Sequence, residues 1–143
     1  MIVVDTSILA YAVGGRHPLR EPSKRLFDAV SGGAVSATTT VEVIQEFTHV
    51  RARRFPRAEA VQVARRYARL LSPLLVADED VLERGLALFE RNPRLGAFDA
   101  VLAAYALGDG VEALVSADTA FGSISRLRHV VPGTPEFDRL VVE

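Results

Sequence analysis

Short runs of β-branched and aliphatic residues alternate with longer amphipathic ones, and this alternation narrows the fold more than any other feature of the chain. Ile2-Val3-Val4 has the character of a buried strand. Residues 34–38 read as a second strand, 113–117 as a third and 129–131 as a short last one, each bounded by turn-forming residues. Residues 74–77 fit either a short strand or an extended link between helices.

The intervening stretches read as helices. Residues 22–31 form one that Gly32-Gly33 stops. Pro56 divides 41–54 from 57–71, because proline ends one helix and suits the start of another. Asp78 caps a helix over 79–91, whose acidic first turn complements the helix dipole. Residues 97–107 run on until Gly108-Asp109-Gly110. Strands joined by helices imply an α/β layer fold around a mostly parallel sheet. In such sheets, functional groups collect at the carboxyl ends of the strands.

A length of 143 residues suits one domain with its own core. The absence of cysteine excludes disulfides and cysteine-ligated zinc. The apolar start Met1-Ile2-Val3-Val4 is broken by Asp5, and no basic residue precedes it. That pattern suits neither a secretory leader nor a membrane span, so the expectation is a cytoplasmic protein with no membrane partner. No Gly-rich phosphate loop followed by Lys-Ser/Thr is present, nor any Gly-x-Gly-x-x-Gly, which argues against nucleotide-binding folds. A receiver-type fold would need a lysine near the last strands, but the only lysine is Lys24. A haloacid-dehalogenase-type phosphatase would need aspartate where Ser7 stands.

Most of the 18 acids fit solvated helix faces, but four do not. Asp5 ends the first strand, and its alternative role is to cap the helix that follows. Asp118 ends the third strand, with a cap or turn before Phe121 as its alternative. Asp99 sits among Gly96-Ala97-Phe98 and Ala100-Val101-Leu102-Ala103-Ala104, where a lone carboxylate is costly unless paired, metal-bound or used as a cap. Glu46 and Glu42 lie one helical step apart, and either can face the strand ends. Glu42 is already accounted for by the first turn of its helix, behind a cap from Thr38, Thr39 or Thr40. Convergent carboxylates raise one another's pKa values, and a hard divalent cation such as Mg²⁺ relieves the repulsion.

These motifs resemble the PIN-domain family and, within it, the VapC-type toxins. Val4-Asp5-Thr6-Ser7 resembles the family's opening Asp-Thr-Ser, and Thr40–Phe47 its capped helix with a glutamate before an apolar residue, which selects Glu46 over Glu42. Phe98-Asp99-Ala100 resembles the third-acid motif and Val115 to Phe121 the fourth. The resemblance spans nearly the whole chain and implies that residues 1–143 form a single PIN domain, a three-layer α/β/α sandwich. It implies the toxic component of a toxin–antitoxin pair, a Mg²⁺-dependent (or Mn²⁺-dependent) endoribonuclease that hydrolyses RNA phosphodiester bonds by metal-activated water. Asp5, Glu46, Asp99 and Asp118 would be its catalytic acids, with Asp5 and Asp99 as metal ligands. Thr6 and Ser7 would orient Asp5 or a water, or else only start a helix, and Ser116 would orient Asp118. The implied partners are RNA, a cognate VapB-type antitoxin and a second copy of the chain.

Arginine supplies every cation but Lys24, and Arg51, Arg53, Arg54 and Arg57 cluster beyond Glu46. The cluster reads as an RNA or antitoxin surface, or as a solvated helix face. Two further functional readings stand beside the ribonuclease: a catalytically silent PIN-like module that binds RNA or a partner, and a metal-dependent deoxyribonuclease.

Overall fold

The computed structural model describes residues 1–142. Its first strand, β1 (Ile2–Val4), has no exposed side chain because it lies inside the sheet, with both faces covered. Three further strands are β2 (Ala37–Thr38), β3 (Ala113–Val115) and β4 (His129–Val130). They pair in the order β2-β1-β3-β4, and every pairing is parallel. The register sets Val4 opposite Val115, so that Asp5 and Ser116 leave the sheet side by side.

Seven helices connect or follow the strands: α1 (Thr6–Ala12), α2 (Arg20–Ser31), α3 (Val41–Arg51), α4 (Arg57–Leu70), α5 (Glu79–Arg91), α6 (Ala97–Ala106) and α7 (Pro135–Val142). One helical group packs α1 on α2 and α3, α3 on α4, and α2 on α7. In the other, α5 and α6 pack on each other and α6 lies over β1 and β3. The result is the expected three-layer α/β/α arrangement around a parallel sheet. Phe47, Phe121, Phe137, Ile8, Leu9 and Leu26 are among the fully buried side chains of its core.

Local chemistry explains where the elements begin and end. The Thr40 hydroxyl accepts from the Val43 amide and so caps α3, while the Asp78 carboxylate caps α5 through Val81 N at 2.9 Å. Gly33, at φ +80°, reverses the chain after α2, and Gly110 does the same after α6.

Several expected boundaries move. The second strand is confined to Ala37–Thr38, because Ala34 and Val35 turn back to hydrogen-bond Ala29 O. α2 starts at Arg20, not at Pro22; a proline in the first turn sacrifices no helical hydrogen bond there. α3 stops at Arg51, where residues 52–55 curl into turns ahead of Pro56. Residues 74–77 make a single parallel bridge, Leu75 to Thr40, within an extended link. The last helix, α7, was not foreseen, although Thr134-Pro135-Glu136 carries its start signal: the Thr134 hydroxyl accepts from Phe137 N at 3.3 Å, with proline at the first helical position. No helix among the described residues is long and apolar enough to cross a membrane.

Candidate active site

The four singled-out acids come together at the carboxyl edge of the sheet. Asp5 follows β1, Asp118 lies beyond β3, Glu46 lies in the middle of α3, and Asp99 lies in the first turn of α6. Asp5 is 6% exposed and Asp99 is partly buried, whereas Glu46 and Asp118 face solvent. Burial first, and then the negative charges of Asp5, Asp118 and Glu46, push the Asp99 carboxyl up to about 7. Mutual electrostatic influence on that scale makes these acids one group.

Asp5 is the most firmly held. Its Oδ1 accepts from Thr6 N at 2.7 Å, and its Oδ2 accepts from Ser116 Oγ at 2.6 Å and from Ser7 Oγ at 3.1 Å. A carboxylate offers about four lone-pair sites, so three donors leave it little acceptor capacity beyond one more contact. Asp5 therefore caps α1 and also lies close enough to Asp99 to act on it electrostatically. Asp118 likewise caps the 3-10 helix Thr119–Ser123 through Ala120 N at 2.9 Å. The capping reading of Asp99 fails: Gly96 occupies the cap position, and α6 has no side-chain cap hydrogen bond.

Two supporting side chains act differently from expectation. Thr6 does not orient Asp5 through its hydroxyl; it donates to Glu46 Oε2 at 2.6 Å and ties α1 to α3. Ser116 donates to Asp5 and accepts from Asp118 N at 3.0 Å, so it aligns Asp5 rather than the carboxylate of Asp118. Ser7 completes the link by accepting from Ala117 N at 3.2 Å. Glu42 instead lines a pocket of about 250 Å³ with Tyr105, Phe98 and Leu82, where burial of Tyr105 first, and then the charges of Glu42 and Asp78, raise the Tyr105 hydroxyl. His49 turns toward Arg53, at 3.1 Å, and not toward the acids.

The donor set is all oxygen, charged and partly sheltered, which suits a hard divalent cation. Among the described residues no three His, Cys, Asp or Glu side chains close into a ready-made cage. An open site of this kind matches a cation that keeps several of its waters. The group that most requires neutralising is Asp99, and three further carboxylates surround it.

The sequence matches the PIN domain family over residues 2–127. It is 50% identical over 136 residues to Ribonuclease VapC7 of Mycobacterium tuberculosis, covering 92% of each chain. It is 29% identical to VapC ribonuclease Mb1869c of Mycobacterium bovis, covering 91% of this chain and 99% of that one. The fold superimposes with a TM-score of 0.62 on a chain of a toxin–antitoxin complex from Klebsiella pneumoniae, at 21% identity and over 89% of this chain and 95% of the other. A parallel sheet with four acids at its carboxyl edge and near-complete coverage of such relatives lead to one assignment: the chain belongs to the PIN-domain family, and within it to the VapC type.

Proposed function

We propose that this protein is the toxic component of a toxin–antitoxin pair and an endoribonuclease that hydrolyses RNA phosphodiester bonds with the help of Mg²⁺, or Mn²⁺ in its place. The observation that carries this reading is the convergence of Asp5, Glu46, Asp99 and Asp118 at the carboxyl edge of the sheet, where burial and then the three neighbouring charges push the Asp99 carboxyl up to about 7. Asp5 and Asp99 would hold the cation directly, and Glu46 and Asp118 would complete its surroundings. When bound, such a cation supplies Lewis acidity that activates water and offsets charge on the phosphodiester. Ser116, Ser7 and the Thr6 amide fix Asp5 before any ligand arrives, so that little reorganisation is needed. Thr6 does the same for Glu46. The hydroxyls nearest the acids, those of Ser7, Ser116 and Thr6, are spent on hydrogen bonds that hold Asp5 and Glu46, so in this reading water attacks and no side chain forms a covalent intermediate.

The remaining features of this reading follow from the family. The residues act as one PIN domain, work in the cytoplasm and are restrained by a cognate VapB-type antitoxin. The protein pairs with a second copy of itself, and α5 offers a face for that contact: Leu82, Leu86 and Phe89 recur at helical spacing and are 46%, 44% and 45% exposed.

The test uses protein purified free of any partner and incubated with structured RNA or single-stranded DNA, with Mg²⁺, Mn²⁺ or EDTA. An Asp5→Asn control excludes contaminating nucleases. RNA cut only with metal and only by the parent protein is the expected result. Preferential DNA cutting would replace it with the deoxyribonuclease reading, and RNA binding without cutting with the silent module.

A further inference from the structure

The basic run beyond Glu46 divides into two kinds of arginine. Arg51 is structural. Its side chain is 13% exposed, and its guanidinium grips both carboxylate oxygens of Glu59 at 2.7 and 3.1 Å. It also donates to Val13 O at 3.0 Å and lies 3.7 Å from the Phe55 ring centroid. These contacts fasten the end of α3 to α4 and to the end of α1. Arg53 and Arg54 are exposed, and among the described residues neither is in a salt bridge. Among the described residues, the only side chain that Arg53 hydrogen-bonds is His49.

Both arginines line a groove of about 460 Å³ between the ends of α1 and α3. The facing wall includes Gly14 and Gly15, and a Cβ built on Gly15 would meet nothing within 4 Å. A bulky ligand can therefore approach the main chain closely there. Val50 and Phe55, 41% and 42% exposed, add apolar surface.

The position of the groove links it to the acids. Arg53 lies in the turns just past the end of α3, and Phe47, the residue next to Glu46, lines the same groove. The opposite wall belongs to α1, whose first residue, Thr6, hydrogen-bonds Glu46. Asp5 at the start of α1 and Glu46 within α3 thus lie on the two elements beside the groove, and cations outside any salt bridge among the described residues follow the end of α3. An acidic centre repels a polyanion, and fixed cations beside it offset that repulsion. The planar fork of arginine also matches phosphate oxygens in pairs.

We propose that Arg53 and Arg54, across the groove from Gly14-Gly15, form a phosphate-binding subsite that holds the RNA backbone on the Glu46 side of the acid centre. The proposal rests on the ribonuclease reading and adds to it the path of the strand. Arg51 also lines the groove, but its guanidinium is spent on Glu59 and Val13 O, so it is no part of the subsite.

The test measures binding of a labelled, mixed-sequence single-stranded RNA to the full chain in EDTA, across a series of salt concentrations. It compares the parent with an Arg53→Gln/Arg54→Gln double variant and with Arg57→Gln, an exposed arginine outside the groove. Each neutralised phosphate contributes a slope of about −0.7 to log K against log salt for a single strand, so losing two contacts flattens the slope by about 1.4. The double variant is expected to show that flattening with about tenfold weaker binding near physiological salt, while its Tm and its Mg²⁺ affinity stay unchanged. Arg57→Gln is expected to match the parent. An unchanged slope in the double variant, or an equal loss in Arg57→Gln, overturns the subsite while leaving ribonuclease activity in the parent intact. A double variant that keeps its RNA slope but loses affinity for poly-glutamate assigns the groove to a protein's carboxylates instead. A parent that neither binds nor cuts RNA overturns both readings together.

Discussion

Asp5 shows how one carboxylate serves two ends: it begins α1 and also belongs to the acid group, and three donors hold it still. Removing one of those donors is expected to loosen the site without unfolding the protein. Ser116→Ala should weaken Mg²⁺ affinity or RNA cleavage about 10- to 100-fold, the usual cost of losing a partner behind a metal ligand, as measured by the Mg²⁺ dependence of the cleavage rate. A variant that cleaves like the parent would show that Ser7 and the Thr6 amide suffice. Asp99 gives a pH signature. Its folded carboxyl, at about 7, holds its proton more tightly than the ordinary 3.8 of an unfolded chain. The folded state therefore binds more protons between those values, and its stability falls as pH rises through that window. In EDTA, the parent should lose more Tm between pH 5 and pH 8 than Asp99→Asn does. Mg²⁺ should bind more tightly as pH rises toward 7, because only the charged carboxylate takes it; equal pH profiles for parent and variant would contradict this. Glu46 was separated from Glu42 only by the family resemblance, whereas Asp5, Asp99 and Asp118 were legible because each follows or interrupts an apolar stretch. The Ser116–Asp5 bond was not, because it spans 111 positions and depends on the pairing of Val4 with Val115.

At the level of helices and strands, α5 and α6 meet most closely at Gly85. A Cβ placed there would lie 2.7 Å from Val101 Cα and Cγ2 and 3.1 Å from its nitrogen. Alanine normally gains a helix up to about 1 kcal/mol over glycine. Here the clash is with main-chain atoms, and overpacking of this kind costs about 1–3 kcal/mol. Gly85→Ala should therefore lower Tm, and it should lower activity as well, because α6 carries Asp99; a rise in Tm would show that α6 can yield. Helix interiors were legible from apolar spacing and caps, as Glu79–Arg91 behind Asp78 shows. Their ends were less so. The expected extension of α3 to residue 54 ignored Arg51, whose grip on Glu59 and Phe55 stabilises the turn instead. α7 escaped notice because it is short, spanning Pro135–Val142, and buries only Phe137.

At the level of the molecule, the α/β class and the parallel sheet followed from the alternation of strands and helices. The order β2-β1-β3-β4 did not, because strands of two or three residues carry too little pattern to say which pair. The exposed stripe on α5 predicts self-association. Leu86→Glu with Phe89→Glu should shift sedimentation from dimer to monomer at unchanged Tm, and a parent that sediments as a monomer at micromolar concentration would remove the basis for that pairing. The central place of β1 has a consequence for timing during synthesis. Asp5 is synthesised more than a hundred residues ahead of its Ser116 and Asp118 neighbours. No nascent or truncated chain ending before them has an assembled acid centre. The capacity to damage RNA would thus appear only after that interval, leaving a translating cell time in which to supply an inhibitor.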